Sequence, residues 1–192
     1  EGKKKTVLGS GIKQNGKIKI FPPQKKTVDF KNLHLPAWDL LEEIDRYFPD
    51  KNHNSLPIST TRGCAFKCGF CHNSNENVKK FLGCYRIAEP QRAIDEYLVV
   101  QKLIKNKIDY LDVGEDLHLV SSGYTHKFCE AIRNSGVKDL KWNTAARYST
   151  MTPELVDLIA KHNCKSIMLG VESGSKRIQE FNGKVVELNH AI

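Results

Sequence analysis

Three cysteines within eight residues constrain this chain more than any other feature of its sequence. Cys64, Cys68 and Cys71 are spaced C-x3-C-x2-C, and the aromatic residue Phe70 directly precedes the third of them. The thiolate form of cysteine binds metals, and soft sulfur ligands favour iron–sulfur clusters, zinc or copper(I). The run therefore predicts a metal centre that these three cysteines ligate.

The number of cysteines bears on the identity of the metal. Structural zinc is held by four ligands, usually as two pairs that lie far apart in sequence. The nearest candidates for a fourth ligand are His72 and Cys84, which do not form a second pair. A cubane iron–sulfur cluster with three cysteine ligands leaves one iron open to a small molecule. The run therefore favours a cluster, with zinc as the alternative.

The same spacing would also form a buried stripe on a helix, because cysteine behaves as a small hydrophobic residue. Gly63 and Gly69 argue against a packed helix through their low helix propensity. The charged residues Arg62 and Lys67 argue against burial. We therefore expect a ligand loop at this position.

The remaining composition is that of a globular domain in a reducing compartment. The chain has 192 residues, enough for one domain with a hydrophobic core, and no run of eighteen apolar residues that would span a membrane. Its first residues lack the apolar stretch of a signal peptide. Six cysteines, three of them clustered, are typical of metal binding under reducing conditions, so we expect a cytoplasmic protein.

The net charge of +8 raises the question of a nucleic-acid partner. The lysines are scattered along the chain, and no basic patch interleaved with aromatic residues is visible. The charge is therefore interpreted as a solvated surface, and nucleic acid is not an expected partner.

Residues 1–55 are poorly periodic and are interpreted as an irregular connector that wraps across a larger domain. Asn15-Gly16 lies between Ile12 and Ile18, a pattern that predicts a small hairpin. Trp38 lies in a later apolar patch and is expected to pack against the larger domain.

From residue 56 onward the pattern alternates between strands and helices. Strands are predicted at 56–60, 108–113, 140–146 and 166–171, and helices after 89, over 125–135, after 152 and after 175. This alternation favours right-handed βα units and a parallel sheet. Cys129 and Cys164 fall in these elements and are expected in the core.

Each predicted strand is followed by a residue group that suits ligand binding. The cysteine run follows the first strand, residues 114–116 the second, Arg147 the third and residues 170–174 the fourth. An acidic pair or a single arginine alone is more often a surface charge. Because parallel α/β folds bind ligands at the carboxyl ends of their strands, the four groups together predict a binding site.

The cysteine run with its aromatic residue resembles the signature of the radical S-adenosylmethionine (SAM) superfamily. The resemblance implies a [4Fe–4S] cluster that chelates SAM and cleaves it reductively to a radical, with an electron donor such as flavodoxin or ferredoxin. It also implies an α/β fold, a partial TIM-like (βα) barrel. Residues 56–192 would supply about four of six βα units, truncated at the C-terminus.

The same resemblance assigns roles to residues at the strand ends. SAM needs a carboxylate for its ammonium group, a cation for its carboxylate and acceptors for its ribose hydroxyls. The second-strand motif is Val-Gly-Glu-Asp in place of the common Gly-Gly-Glu, which leaves open whether the first or the second acid binds the ammonium group. The expected cofactor-binding residues are Phe70, Glu115, Asp116, Arg147, Glu172 and Ser173.

Further motifs are similar to those of radical SAM enzymes that carry a cobalamin-binding domain ahead of the barrel. They are Trp142-x4-Arg147, the Thr-Pro-Glu-Leu run at 152–155, the run from 169 to 175, and two connector segments at 15–18 and 35–41. This narrower resemblance implies a cobalamin bound by a domain outside this chain.

These features favour a radical SAM enzyme that starts methyl transfer or carbon-skeleton modification on a small-molecule or natural-product-like substrate, assisted by cobalamin. One alternative is a methylthiotransferase-like enzyme that acts on tRNA or protein. A second is a non-catalytic binding module stabilised by zinc or a cluster. The second alternative leaves the coincidence of the strand-end residues unexplained.

Overall fold

A four-stranded parallel sheet alternating with helices forms the centre of the fold. The computed structural model describes residues 7–22, 29–50, 54–83 and 85–187. The strands are β1 (Gly11–Gln14), β2 (Lys17–Ile20), β3 (Ser55–Pro57), β4 (Thr61–Arg62), β5 (Arg86–Ile87), β6 (Tyr110–Val113), β7 (Lys141–Ala146) and β8 (Cys164–Leu169). The helices are α1 (Glu76–Leu82), α2 (Gln91–Leu103), α3 (Ser122–Asn134), α4 (Pro153–Lys161) and α5 (Lys176–Phe181).

The sheet has the order β3-β6-β7-β8, and each neighbouring pair is parallel. Spatial order therefore equals chain order, as successive right-handed βα units require. This arrangement confirms the predicted α/β class and is consistent with a partial βα barrel.

The element bounds differ from the predicted ones at several places. Strand β8 begins at Cys164, two residues before the predicted start, and ends at Leu169. Strand β3 covers only Ser55–Pro57, although the Ile58 N–H still bonds the Asp112 carbonyl beyond it. Helix α3 begins at Ser122 because the Ser121 hydroxyl caps it by accepting the Tyr124 N–H.

A short ribbon that flanks the cysteine run and a short helix after the run were not predicted from the sequence. Strands β4 and β5 pair antiparallel in a two-residue ribbon, too short to show periodicity. Helix α1 lies between them and is capped by Asn75, whose side chain accepts the Asn77 N–H. The expected ligand candidate Cys84 and the residues after 187 lie outside the described part of the chain.

The core lies between the sheet and the helices α2, α3 and α4. Alternate strand residues such as Leu111 and Trp142 are fully buried against helix residues such as Phe128. Each buried apolar side chain of this size contributes about 1.5–3 kcal/mol to folding. Cys129 belongs to the same cluster, as predicted, whereas Cys164 is half-buried and packs against that cluster.

The described part of the connector combines an exposed hairpin with a segment attached to the core. Strands β1 and β2 pair antiparallel around Asn15 and Gly16, which both have positive φ, so the predicted hairpin is confirmed. Farther on, the Trp38 indole N–H donates to the Glu96 carboxylate of α2 at 2.8 Å. Arg92 of the same helix donates to two backbone carbonyls of the connector.

No helix in the described part of the chain is long and apolar enough to cross a lipid bilayer.

The contact between Trp38 and Glu96 generates a stability prediction. Burial raises the pKa of Glu96 against the opposing effects of the Trp38 hydrogen bond and the Arg92 charge. A raised folded-state pKa means that the free energy of unfolding falls as pH rises through the titration. Glu96→Gln keeps the acceptor and removes the charge, so we expect it to be at least as stable as the wild type at neutral pH.

Measuring the stability of the Glu96 variants at acidic pH provides the control. The advantage of Glu96→Gln should vanish below the ordinary carboxyl pKa of about 4.3, where both side chains are neutral. Glu96→Ala leaves the indole N–H unpaired and should lower the free energy of unfolding by about 1–3 kcal/mol. Urea titrations at both pH values measure these differences, and a Glu96→Gln variant that is less stable at neutral pH would contradict the account.

Candidate functional site

The carboxyl ends of the four parallel strands lie at one edge of the sheet, and the residues expected to bind ligands follow them. The cysteine loop follows β3, residues 114–116 follow β6, Arg147 follows β7 and residues 170–173 follow β8. Each group was predicted to lie at the end of a strand, and the parallel topology brings these strand ends together.

The three cysteines share one loop that winds without regular structure. Cys68 is buried and its two partners are half-buried. Burial raises the pKa of the Cys64 thiol, the Phe66 backbone lowers it, and the nearby Cys68 and Cys71 raise it further. The sulfur atoms of Cys68 and Cys71 therefore lie close enough to Cys64 to act on it electrostatically.

The arrangement of these thiols bears on the kind of metal centre. Within residues 7–22, 29–50, 54–83 and 85–187, no three His, Cys, Asp or Glu side chains are grouped to hold a single ion. In a cubane cluster each cysteine binds a different iron, so its ligands need not converge on one point. Three neighbouring thiols without a described fourth ligand fit such a cluster better than structural zinc, which needs four.

Arg147 contacts the cysteine loop directly. Its guanidinium donates to the Cys68 Sγ at 3.1 Å and lies 4.3 Å from the centre of the Phe66 ring. Further N–H groups donate to the Ser149 hydroxyl and, at 3.4 Å, to the Gly183 carbonyl. Arg147 thus positions the loop and places a positive charge beside the Cys68 sulfur. Its expected contact with the SAM carboxylate stays a prediction.

The two acids after β6 have different surroundings. The Glu115 carboxylate accepts the backbone N–H groups of Thr60 and Thr61 and the Thr61 hydroxyl, just before the cysteine loop. Burial raises the pKa of Glu115, and these hydrogen bonds oppose the increase. Asp116 is exposed, and its charge is near enough to act on Cys64. The Glu115 carboxylate is therefore hydrogen-bonded within the protein, whereas the Asp116 carboxylate faces solvent near the cysteine loop.

Glu172 is paired with a lysine that sequence reasoning missed. Its Oε1 lies 2.7 Å from Nζ of Lys184, whose side chain is only 11% exposed. The same ammonium group lies 5.8 Å from the centre of the half-exposed Phe70 ring. A Cβ at position 170 would meet the Glu172 carboxylate and the Lys184 ammonium group, so the pair would have to shift to admit a side chain there. The one signal in the sequence that relates to this contact is the position of Lys184 shortly after α5, the helix that follows the fourth strand.

Ser173 lies just before α5 and forms hydrogen bonds with residues at the start of that helix and within it. Its hydroxyl accepts the Ser175 N–H at 3.1 Å, and its carbonyl accepts the Gln179 side chain at 2.6 Å. The expected contact of Ser173 with the SAM ribose stays a prediction.

The turn after α5 holds the cysteine loop from the opposite side. The Gly69 N–H donates to the Asn182 carbonyl at 2.8 Å. Gly183, with φ of +63°, lies beside the Lys67 carbonyl, and an added Cβ would make an ordinary contact with it at 3.5 Å. This contact was not foreseen, because it joins residues that are more than one hundred positions apart.

A cavity of about 570 Å³ opens beside Cys64. Its lining includes Gly114, Glu115 and Asp116 from the end of β6, together with residues of the β4–β5 ribbon and α1. His72, a candidate fourth ligand, also lines this cavity and is exposed. The volume lies in the range of about 300–1,000 Å³ that is usual for small-molecule sites.

Comparison with known proteins agrees with this geometry. Residues 58–189 match the family model described as the Radical SAM superfamily. The chain is 28% identical over 189 residues to an uncharacterized methyltransferase of Pyrococcus horikoshii, which covers 98% of this chain and 39% of that protein. These values describe similarity over nearly the whole chain.

Two further relatives carry more specific names. One is the anaerobic magnesium-protoporphyrin IX monomethyl ester cyclase of Rubrivivax gelatinosus, 26% identical over 84% of this chain and 28% of that protein. The other is the hopanoid C-3 methylase of Methylococcus capsulatus, 26% identical over 85% of this chain and 30% of that protein. The chain thus spans less than half the length of each relative.

The hydrogen bonds of Glu115 generate a prediction about the loop. Glu115→Ala leaves the buried N–H groups of Thr60 and Thr61 without their acceptor, and should lower the free energy of unfolding by about 1–3 kcal/mol. Glu115→Gln keeps the acceptor oxygen and should retain most of the stability. Urea unfolding and the rate of proteolysis at Arg62 or Lys67 measure the effect. Equal stability and equal cleavage rates for Glu115→Ala and the wild type would contradict the role of this carboxylate.

Proposed function

Because this chain belongs to the radical SAM superfamily, we propose that it forms the cluster- and SAM-binding part of an enzyme that transfers a methyl group to, or modifies the carbon skeleton of, a small molecule. The observation that carries the proposal is the cysteine loop, held by Glu115 and Arg147 at the shared edge of four parallel strand ends. Residues 1–55 act as the connector and residues 56–192 as the radical SAM core.

Cys64, Cys68 and Cys71 would hold the [4Fe–4S] cluster, since their donor atoms and their common loop suit it. When bound, the cluster supplies one-electron chemistry to SAM. The chain contributes a fixed loop conformation through the Gly69–Asn182 hydrogen bond, and Arg147 contributes a positive charge beside the Cys68 sulfur. A loop fixed before the cofactor binds reduces the cost of ordering on binding.

The SAM-binding residues are assigned from the chemistry of their side chains and from their surroundings in the fold. Asp116 takes the SAM ammonium group, because Glu115 is engaged with Thr60 and Thr61 while Asp116 remains exposed. Arg147 is the cation for the SAM carboxylate. Phe70 lies within the cysteine loop, and its half-exposed ring is available for contact with SAM.

Two polar residues after β8 complete the assignment. The second oxygen of Glu172 makes no hydrogen bond within the described residues and serves the ribose hydroxyls. Ser173 contributes its hydroxyl at the same position, next to Glu172 in the chain.

Methyl transfer is favoured by the relatives, two of which are named as a methyltransferase and a methylase. A methylthiotransferase has no comparable support. A cobalamin-binding domain outside this chain would supply the methyl carrier, a proposal that rests on the motifs of the connector and of strands β7 and β8. The enzyme would work in the cytoplasm, where its thiols stay reduced, with flavodoxin or ferredoxin as electron donor.

Cluster binding is the first test of this function. Protein reconstituted anaerobically with iron and sulfide should bind about four irons per chain. Cys64→Ala, Cys68→Ala and Cys71→Ala, alone or combined, should abolish intact cluster binding because each thiolate holds one iron. Iron analysis and the visible absorption spectrum measure the result.

Cys129→Ala is the matched control for this test. It removes a buried thiol of the core and should leave the iron content unchanged. Binding of one zinc with no iron uptake would instead support the alternative of a zinc-stabilised module.

The assignment of the SAM contacts is tested by binding to the reconstituted protein. Asp116→Asn and Glu172→Gln should each weaken SAM binding by about 1–3 kcal/mol, the cost of a lost charged hydrogen bond, with the iron content unchanged. Asp157→Asn, on the exposed face of α4, is the control and should bind SAM as the wild type does. Calorimetric titration measures the affinities, and unchanged binding by Asp116→Asn would show that this acid is a surface charge.

A further inference from the structure

The cavity beside Cys64 is lined by charges of both signs, which come from different elements. The end of β6 contributes the acids Asp112 and Asp116. The β4–β5 ribbon and α1 contribute the cations Arg62, Arg86 and Lys79. The acids suit the positive groups of SAM, and the cations are not used by the function proposed above.

Two of these cations face each other directly. Arg62 and Arg86 are register partners in the antiparallel β4–β5 ribbon. Side chains opposite each other in an antiparallel pair lie close together, so the two cations share one side of the ribbon. The Arg62 guanidinium lies 5.1 Å from the centre of the buried Phe30 ring, which holds it in place beside its partner.

The charges of Arg62 and Lys79 are not neutralised by a neighbouring acid. In the part of the chain that the structure describes, neither forms a salt bridge with an aspartate or glutamate. Two guanidinium groups bind a carboxylate or phosphate through paired N–H donors, and a lysine adds a point charge. A cavity also shields such contacts from salt better than an open surface does.

We propose that Arg62, Lys79 and Arg86 form a subsite for the anionic group, a carboxylate or a phosphate, of the substrate. The inference rests on the proposed function, because the same cavity also reaches Cys64 and Asp116. The substrate is then an acidic small molecule, held by its anion at the β4–β5 ribbon. The carboxylate of SAM has the same chemistry and is the alternative occupant that the experiment must separate.

Inorganic phosphate is the probe, and the protein without added cluster is sufficient for the first titration. Arg62→Gln, Lys79→Gln and the double variant should each weaken phosphate binding, the double variant by about ten-fold or more. The control is a Lys13→Gln, Lys17→Gln double variant on the exposed hairpin, which also removes two positive charges. It should bind phosphate with nearly the wild-type affinity.

Two results would overturn the subsite. One is the absence of phosphate binding by the wild type, and the other is an equal loss of affinity in the cavity and hairpin variants. Thermal melts of all variants check folding, and Lys79→Gln tests the subsite without disturbing the stacking of Arg62 on Phe30.

A second titration separates the two sources of the anion. In the reconstituted protein, phosphate and SAM should bind together without competition if the subsite serves the substrate. Displacement of phosphate by SAM would assign the cations to the SAM carboxylate and overturn the substrate assignment. Failure of iron uptake would overturn the proposed function and leave the phosphate result intact, so the two failures can be distinguished.

Discussion

The hydrogen bonds of Glu115 to Thr60 and Thr61 are the interaction on which the candidate site depends. They join the end of β6 to the residues that lead from β3 into the cysteine loop. Because the two strands are parallel neighbours, their ends already lie side by side, and one buried carboxylate is enough to fix the start of the loop. Burial of that carboxylate is unfavourable alone and is offset by three hydrogen bonds, two of them from backbone groups that would otherwise lack a partner.

A second set of contacts fixes the other side of the loop. Arg147 reaches Cys68 from the end of β7, and the turn after α5 contributes the Asn182 carbonyl to Gly69. The loop is thus held by groups from three separate βα units, although it has almost no regular structure of its own. Glu115 and Arg147 therefore both position the loop, whereas Asp116 is exposed and Glu172 is paired with Lys184.

Much of this architecture is predictable from the sequence, since apolar periodicity and the Asn-Gly turn act locally. The parallel topology then places the strand-end residues together without further information. The contacts of Lys184 and Asn182 with the cysteine loop were missed because they depend on how the chain returns to the site after α5. The sequence also could not predict that Glu115 bonds to the protein while Asp116 stays exposed. Adjacent acids differ only in which one the fold buries.

The most direct test of the central claim is the electron paramagnetic resonance spectrum of the reduced, reconstituted protein with and without SAM. Binding of SAM to an iron that lacks a cysteine ligand changes the surroundings of the cluster. We therefore expect the signal to shift on addition of SAM in the wild type and to shift less in Asp116→Asn at the same SAM concentration. A cluster signal that SAM leaves unchanged at saturating concentration would contradict the claim that these three cysteines hold a cluster with an open iron for SAM.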